Sequence, residues 1–194
     1  MSKAERTRAF IIERTAPIFN KKGFAGTSLN DITAATGLTK GSIYGNFANK
    51  DEVALAVFDY NLNKLNTAVA IEFAKHTTAK EKLLVYAENY EKIFNLPFTE
   101  GGCPILNTAI EADDTHPDLK KRAAAAVLSW KNKLVQIIEE GVANKEFKTD
   151  VNAAELALSM IAMIEGGIMI AKLLGNANHF VVIMQSMKKM IQTL

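Results

Sequence analysis

Along its whole length this chain repeats apolar side chains at intervals of three and four, and almost nowhere at intervals of two. Such positions share one face of an α-helix, whereas a half-buried strand needs strict alternation. The periodicity therefore restricts the chain to an all-α fold. Caps and breakers divide it further. The spacing predicts a first helix over 3–22, with Ile12, Ala16 and Phe19 on one face, ending at Gly23. A second begins at Thr27-Ser28, where Ser28 and Asp31 have capping-box spacing, buries Leu29 and Ile32, and breaks at Gly37. A third, capped by Thr39, runs only to Tyr44, with Gly45 where a left-handed C-terminal residue is expected.

Asn49 and Glu52 then open a long fourth helix, and Thr78 with Glu81 repeat the device for a fifth that extends to residue 95. Residues 97–102 read as a loop. Pro104 sits in the first turn of a short helix to Ala112, and Pro117 starts another to residue 145. Asp150 is expected to cap an eighth helix to residue 174, and Asn176 to Asn178 lead into the last. The expected architecture is a three-helix head, residues 1–48, and a helical body, residues 49–194, with about nine helices in all.

Charge is unevenly shared. Residues 1–50 hold eight basic and three acidic side chains, while the remainder carries fifteen basic and eighteen acidic ones. A basic head on a slightly acidic body suits a polyanion, because each neutralised phosphate releases counterions. The single cysteine, Cys103, permits no intrachain disulfide, and the first residues lack the apolar run of a signal peptide. A cytoplasmic location follows as an expectation.

Two short helices separated by a glycine-containing turn have the form of a helix-turn-helix. The second is anchored by Ile43 and otherwise carries small or polar side chains, which let its backbone approach a groove. The residues Gly23-Phe24, Thr27-Ser28, Asp31-Ile32, Ala34-Ala35, Gly37-Leu38, Thr39-Lys40-Gly41, Ile43-Tyr44, Phe47 and Lys50 closely resemble the head of the tetracycline-repressor (TetR) family of transcriptional regulators. The resemblance implies a homodimer on a palindromic double-stranded operator, with a small-molecule pocket in each body and repression relieved by the effector. By position, it implies that Thr39, Lys40, Gly41 and Ser42 approach bases and adjacent phosphates, and that Tyr44 places its hydroxyl on a phosphate. Thr27 and Ser28 would present hydroxyls and free N–H groups, and Asn46 and Lys50 complete the DNA-binding set. Where the family often has an aromatic or histidine, this chain has Gly45, which supplies no side-chain contact. Phe24, Ile32 and Phe47 read as the small core of the head.

In the body, residues 156–174 are apolar enough to be mistaken for a membrane span. Glu165 near their middle costs roughly 3 kcal/mol on insertion scales, so a buried helix and no membrane partner are expected. The family resemblance implies that the last two helices serve dimerisation, here through Gly167, Ala171, Phe180, Ile183, Met184 and Met187. Candidates for an apolar or amphipathic effector site are Tyr86, Tyr90, Phe94, Leu106, Ile110, Trp130, Met160, Met163 and Met169, since methionine and aromatic linings adapt to such ligands. Cys103 precedes a helix start, a position that lowers a thiol pKa, and is a candidate redox or electrophile sensor. As an enzyme nucleophile it lacks a paired base, because His76, His116 and His179 are not spaced to serve it. Glu111, Asp113, Asp114 and His116 do not fit a closed metal site, and neither metal nor cofactor is expected.

Overall fold

The computed structural model describes residues 2–88 and 101–194. Among these the chain forms nine helices: α1 (Lys3–Gly26), α2 (Leu29–Thr36), α3 (Lys40–Tyr44), α4 (Lys50–Phe73), α5 (Ala79–Glu88), α6 (Pro104–Ala112), α7 (Pro117–Ala143), α8 (Ala153–Leu173) and α9 (Asn178–Gln192). They fall into two compact units. The first comprises Met1–Asn66 with Asn95–Ala124, and the second Thr67–Phe94 with Ala125–Leu194. The first unit thus gathers α6 and the start of α7 around the head helices.

In the first unit, α1 buries Ile11, Thr15, Ala16, Phe19 and Asn20. Ala16 and Phe19 lie inside as expected, whereas Ile11 takes the inner place expected for Ile12, which is half-buried. Polar Thr15 and Asn20 lie on that stripe and disguise it. The Thr15 hydroxyl donates to the Ile11 carbonyl at 2.7 Å, and the Asn20 amide donates to the Gly102 carbonyl at 3.0 Å. Ile32, Ile43, Phe47, Val53 and Val57 complete the core. Full burial of each large apolar side chain stabilises the fold by about 1.5–3 kcal/mol. Leu29, expected inside, is half-buried.

In the second unit, α9 packs on α8 and on α5. Leu83, Leu134, Ile137, Ile138, Met160, Ile164, Met187 and Ile191 are its largest fully enclosed apolar residues. By length and composition alone α8 could cross a membrane; here Met160, Ile164 and Ile168 are buried in the unit's own core. Its N-cap is Asn152, whose side chain accepts from the Glu155 amide at 3.2 Å, not the expected Asp150. Asn152 stands directly before the first helical residue, the position from which a short side chain reaches the third amide.

One packing contact in this unit requires glycine. A Cβ on Gly141 would lie 2.3 Å from the Phe147 ring and 2.9 Å from the Ala79 methyl group. Gly141→Ala is therefore expected to cost about 1–3 kcal/mol by overpacking. In a chain of this size that lowers Tm by roughly 2–12 °C in a thermal melt. An unchanged Tm would contradict this packing.

Candidate nucleic-acid interface

The exposed end of the head is built from the caps upward. Ser28 begins α2: its hydroxyl accepts from the Asp31 amide at 3.1 Å, and the Asp31 carboxylate accepts from the Ser28 amide at 2.8 Å. This reciprocal pair satisfies two amides that a helix start otherwise leaves open. Lys22 reaches the same carboxylate at 2.6 Å. The Lys22 hydrogen bond first, then those from the Ser28 hydroxyl and amide, hold the Asp31 carboxyl far below the ordinary aspartate value.

Helix α2 stops at Gly37, which adopts the left-handed φ of 67° and donates its amide to Thr33 at 2.9 Å. The left-handed residue of the motif is therefore Gly37. Gly45, expected to be left-handed, is right-handed at φ −73° and simply continues the last turn. A Cβ there would approach the Gly41 carbonyl to 3.2 Å, so close approach explains the glycine better than backbone sign.

Between these glycines stands α3. Thr39 caps it by accepting from the Ser42 amide at 3.2 Å, and the enclosed Ile43 anchors it. Thr39, Lys40, Gly41 and Tyr44 are exposed, Tyr44 by 47 %, while Ser42 and Asn46 are half-buried. The Asn46 amide donates to the Ser42 carbonyl at 2.9 Å, closing the end of the helix. Lys40 forms no ion pair among the described residues. The structure thus gathers Thr39, Lys40, Gly41 and Tyr44 on an accessible edge with a rigid base. Such an edge suits insertion into a major groove, with the lysine and the phenol placed for phosphates.

Ser28 is exposed but keeps no free amide, since its amide and hydroxyl both donate to Asp31, at 2.8 and 2.7 Å, and two members of the expected set lie elsewhere. Thr27 is completely buried, and its hydroxyl donates inward to the Gly23 carbonyl at 2.6 Å. It does not present that hydroxyl outward, because the chain reversal before α2 needs it. Lys50 donates to the carbonyls of Phe24 at 2.8 Å and Thr27 at 3.1 Å, and its ammonium lies 4.1 Å from the centre of the Phe24 ring. It fastens the start of α4 to the chain between α1 and α2.

Arg8 was not singled out by the sequence and proves central. Its guanidinium donates to the Asn46 carbonyl and to Glu52, each at 2.6 Å, and stacks 4.0 Å from the Phe47 ring. Glu52 also accepts from the Ala48 amide at 2.7 Å. That bond, then Arg8, depresses the Glu52 carboxyl below its ordinary value. In sequence Arg8 is one of several N-terminal bases, with nothing to separate it from its neighbours.

The acidic group before α7 has structural employment. Glu111 accepts from the amides of Phe24 at 2.7 Å and Ala25 at 2.8 Å. Asp113 pairs with Lys120 at 2.8 Å. His116 is buried, accepts from the Leu119 amide through Nδ1, faces Asp51 at 3.2 Å through Nε2, and meets the Phe24 ring edge-on. Cys103 is buried at the N-cap position of α6, so an oxidant reaches it only if its surroundings open.

The effector candidates separate. Tyr86 and Trp130 pack with ring centres 6.0 Å apart, and Phe73 meets Tyr86 edge-on at 5.5 Å. Burial pushes the Tyr86 phenol well above its ordinary value, the Trp130 indole opposing in part. Met160 is enclosed, Met163 and Leu106 are half-buried, and Met169 and Ile110 are exposed, Ile110 by 69 %. Tyr90 and Phe94 lie outside the described residues.

The dimerisation candidates face mostly inward. Phe180, Met184 and Met187 are buried on α9, and a Cβ on Gly167 would stand 3.0 Å from the Phe180 ring. These four therefore serve packing within the chain, while Ala171 and Ile183 are half-buried. The exposed apolar side chains nearby are Leu158, Met169, Leu173 and Leu174 of α8 and its end, and Val182 of α9.

Comparison with known proteins agrees with this geometry. Residues 11–57 match the family described as bacterial regulatory proteins, tetR family, and residues 79–187 match the tetracyclin repressor-like C-terminal domain. A TetR-family transcriptional regulator from Cytophaga hutchinsonii is 49 % identical, with a TM-score of 0.96 over 100 % of this chain and 97 % of that one. A TetR transcriptional regulator from Chloroflexus aurantiacus is 37 % identical, with a TM-score of 0.93 over 99 % and 97 %. The HTH-type transcriptional regulator TtgR of Pseudomonas putida is 26 % identical over 84 % of this chain and 79 % of its own.

The Ser28–Asp31 cap carries a pH signature. Because the folded-state pKa of Asp31 is depressed, its contribution is complete above the unfolded value of about 3.9 and is lost as pH falls toward the folded one. Asp31→Asn is expected to lower stability near neutrality and to flatten the acid limb below pH of about 4, read by denaturant titration across pH. An acid limb of unchanged slope would exclude this role.

Proposed function

The chain belongs to the TetR family of helix-turn-helix transcriptional regulators, and from that premise we propose that it is a cytoplasmic repressor acting as a homodimer on a palindromic operator and released by a small apolar or amphipathic molecule. The observation that carries this reading is the exposed edge Thr39-Lys40-Gly41-Tyr44, seated on the enclosed Ile43. Such an edge carries few folding duties and has the shape and donors for a groove. Ser42 and Asn46 flank it, and the Ser28 hydroxyl stands at the start of α2. Two copies would place these edges one duplex turn apart, roughly 34 Å, or at the spacing of their half-sites.

Pairing is best served by the apolar residues that the single chain leaves exposed. Leu158, Met169 and Leu173 recur at helical intervals along α8, and Leu173 is 79 % exposed. This face replaces Gly167, Phe180, Met184 and Met187 as the proposed centre of the interface, with Ala171 and Ile183 at its margin. Tyr86 and Trp130, packed ring against ring, are the proposed aromatic part of an apolar effector site, with the half-buried Met163 as a further candidate. Release requires that the effector bind the operator-free arrangement more tightly than the bound one.

Lys40→Ala and Tyr44→Ala are each expected to weaken operator binding by about tenfold or more while the melting curve stays unchanged. Lys40→Ala should also reduce the slope of log K against log salt by about 0.9, the value of one phosphate contact. Mobility-shift titration on a duplex selected from a random pool provides both readouts, and full binding by both variants would refute the interface. Independently, Leu173→Glu is expected to shift the protein from dimer to monomer in light scattering. A dimer that persists in that variant would displace the proposed face.

A further inference from the structure

Helix α1 is interrupted at Gly23, with φ 73° and ψ −179°, and two side chains of α6 complete the interruption. In an unbroken helix the Phe24 amide would donate to the Asn20 carbonyl, four residues earlier. Here the Phe24 amide donates to Glu111 Oε2 at 2.7 Å, and the Asn20 carbonyl accepts from Asn107 Nδ2 at 2.9 Å. The Ala25 amide, which would reach Lys21 in a continuous helix, goes to Glu111 Oε1 at 2.8 Å. Asn107 and Glu111 are four residues apart on α6, so one face of that helix presents an amide donor and a carboxylate acceptor one turn apart. Together they replace the two ends of one helical hydrogen bond.

The fit around the break is specific. A Cβ on Gly23 would lie 2.4 Å from the Glu111 carboxylate, so the acid occupies space that only glycine leaves. Asn107 also donates to the Gly101 carbonyl at 2.9 Å, which fixes its amide in place. A cavity of about 30 Å³, lined by Gly23, Asn61, Asn107, Thr108 and Glu111, leaves room beside both side chains.

Building on the operator-binding reading above, we propose that Asn107 and Glu111 are positioning residues for operator binding: they hold α1 broken at Gly23 and so fix the direction in which α2 and α3 leave it. When they withdraw, the Asn20–Phe24 hydrogen bond closes, α1 continues through Gly23, and α3 leaves its binding orientation. The same backbone groups are satisfied in both arrangements, by α6 in one and by α1 itself in the other. Closing the bend also disturbs the Lys50 contacts with the Phe24 and Thr27 carbonyls, so a push on α6 must offset these as well.

The test uses the full-length protein, its Glu111→Ala, Asn107→Ala and Gly23→Ala variants, and a duplex selected by the wild type from a random pool. Anisotropy titration measures operator affinity, and NMR reads the Cα shifts of residues 22–25. Glu111→Ala and Gly23→Ala are each expected to lose about 10–100-fold in affinity, and Asn107→Ala somewhat less. The shifts of residues 22–25 should move to helical values, which mere loosening of the junction would not produce. Wild-type affinity in Glu111→Ala, or shifts that move to random-coil values, would overturn the proposal. Should Glu111→Ala not fold, Glu111→Gln, which keeps the volume but offers one acceptor oxygen, is expected to show the same shifts with a smaller loss. If the wild type selects no duplex, the operator reading fails, and the Cα shifts of the variants still decide for or against the clamp.

Discussion

Lys50 opens α4 with its ammonium held by the carbonyls of Phe24 and Thr27 and laid against the Phe24 ring. A cation at a helix start opposes the helix dipole. It is stable here because two carbonyl oxygens and an aromatic face supply the negative potential that the dipole denies it. The contact ties together three segments that are distant in sequence: the end of α1, the approach to α2 and the first turn of α4. His116 meets the same ring edge-on, and Glu111 receives the amides that follow Gly23. The direction of α2, and with it the seat of α3, depends on this small polar assembly more than on apolar area.

The opposite end of the head is fastened by the same kind of chemistry. Arg8 joins the Asn46 carbonyl, the Glu52 carboxylate and the Phe47 ring. A guanidinium can serve all three at once, because its donors fan out in a plane whose face is free to stack. Lysine in its place would keep the charge and lose the geometry. The five residues of α3 are thus held by Ile43 from below and by Arg8 beyond their C-terminus, which lets so short a helix keep a fixed shape.

Much of this was legible in the sequence because it is local. The Ser28–Asp31 cap, the glycine stop at Gly37, the Thr39 cap and the bounds of α6 depend on residues within four positions of one another, where backbone geometry leaves few choices. The fold class followed from periodicity, and the family from the pattern between Gly23 and Lys50. What the sequence did not disclose is long-range. Ile11 and Ile12 are equivalent in pattern until Thr15 and Asn20 are seen to be buried. Glu111 reads as one acid in a cluster, and nothing within its own segment announces that Phe24 and Ala25 will need an acceptor. Thr27 and Lys50 have the right residue types for phosphate, yet their polar atoms are engaged by carbonyls. On α8 the apolar residues go all round, and on α9 they mark one face, yet periodicity alone could not say which of these faces meets the chain and which is left over.

The edge formed by Thr39, Lys40, Gly41 and Tyr44 rests on supports that belong to other residues: Ile43 beneath it, Arg8 past its end, and Lys50 and Glu111 behind α2. Its outward side chains contribute little to the scaffold, the Thr39 cap aside. On the proposed interface, exchanging Lys40 or Tyr44 would weaken the hold on a duplex while leaving stability nearly constant. On that reading the separation would let the outward residues of α3 change, and the operator with them, without repeated repair of the fold.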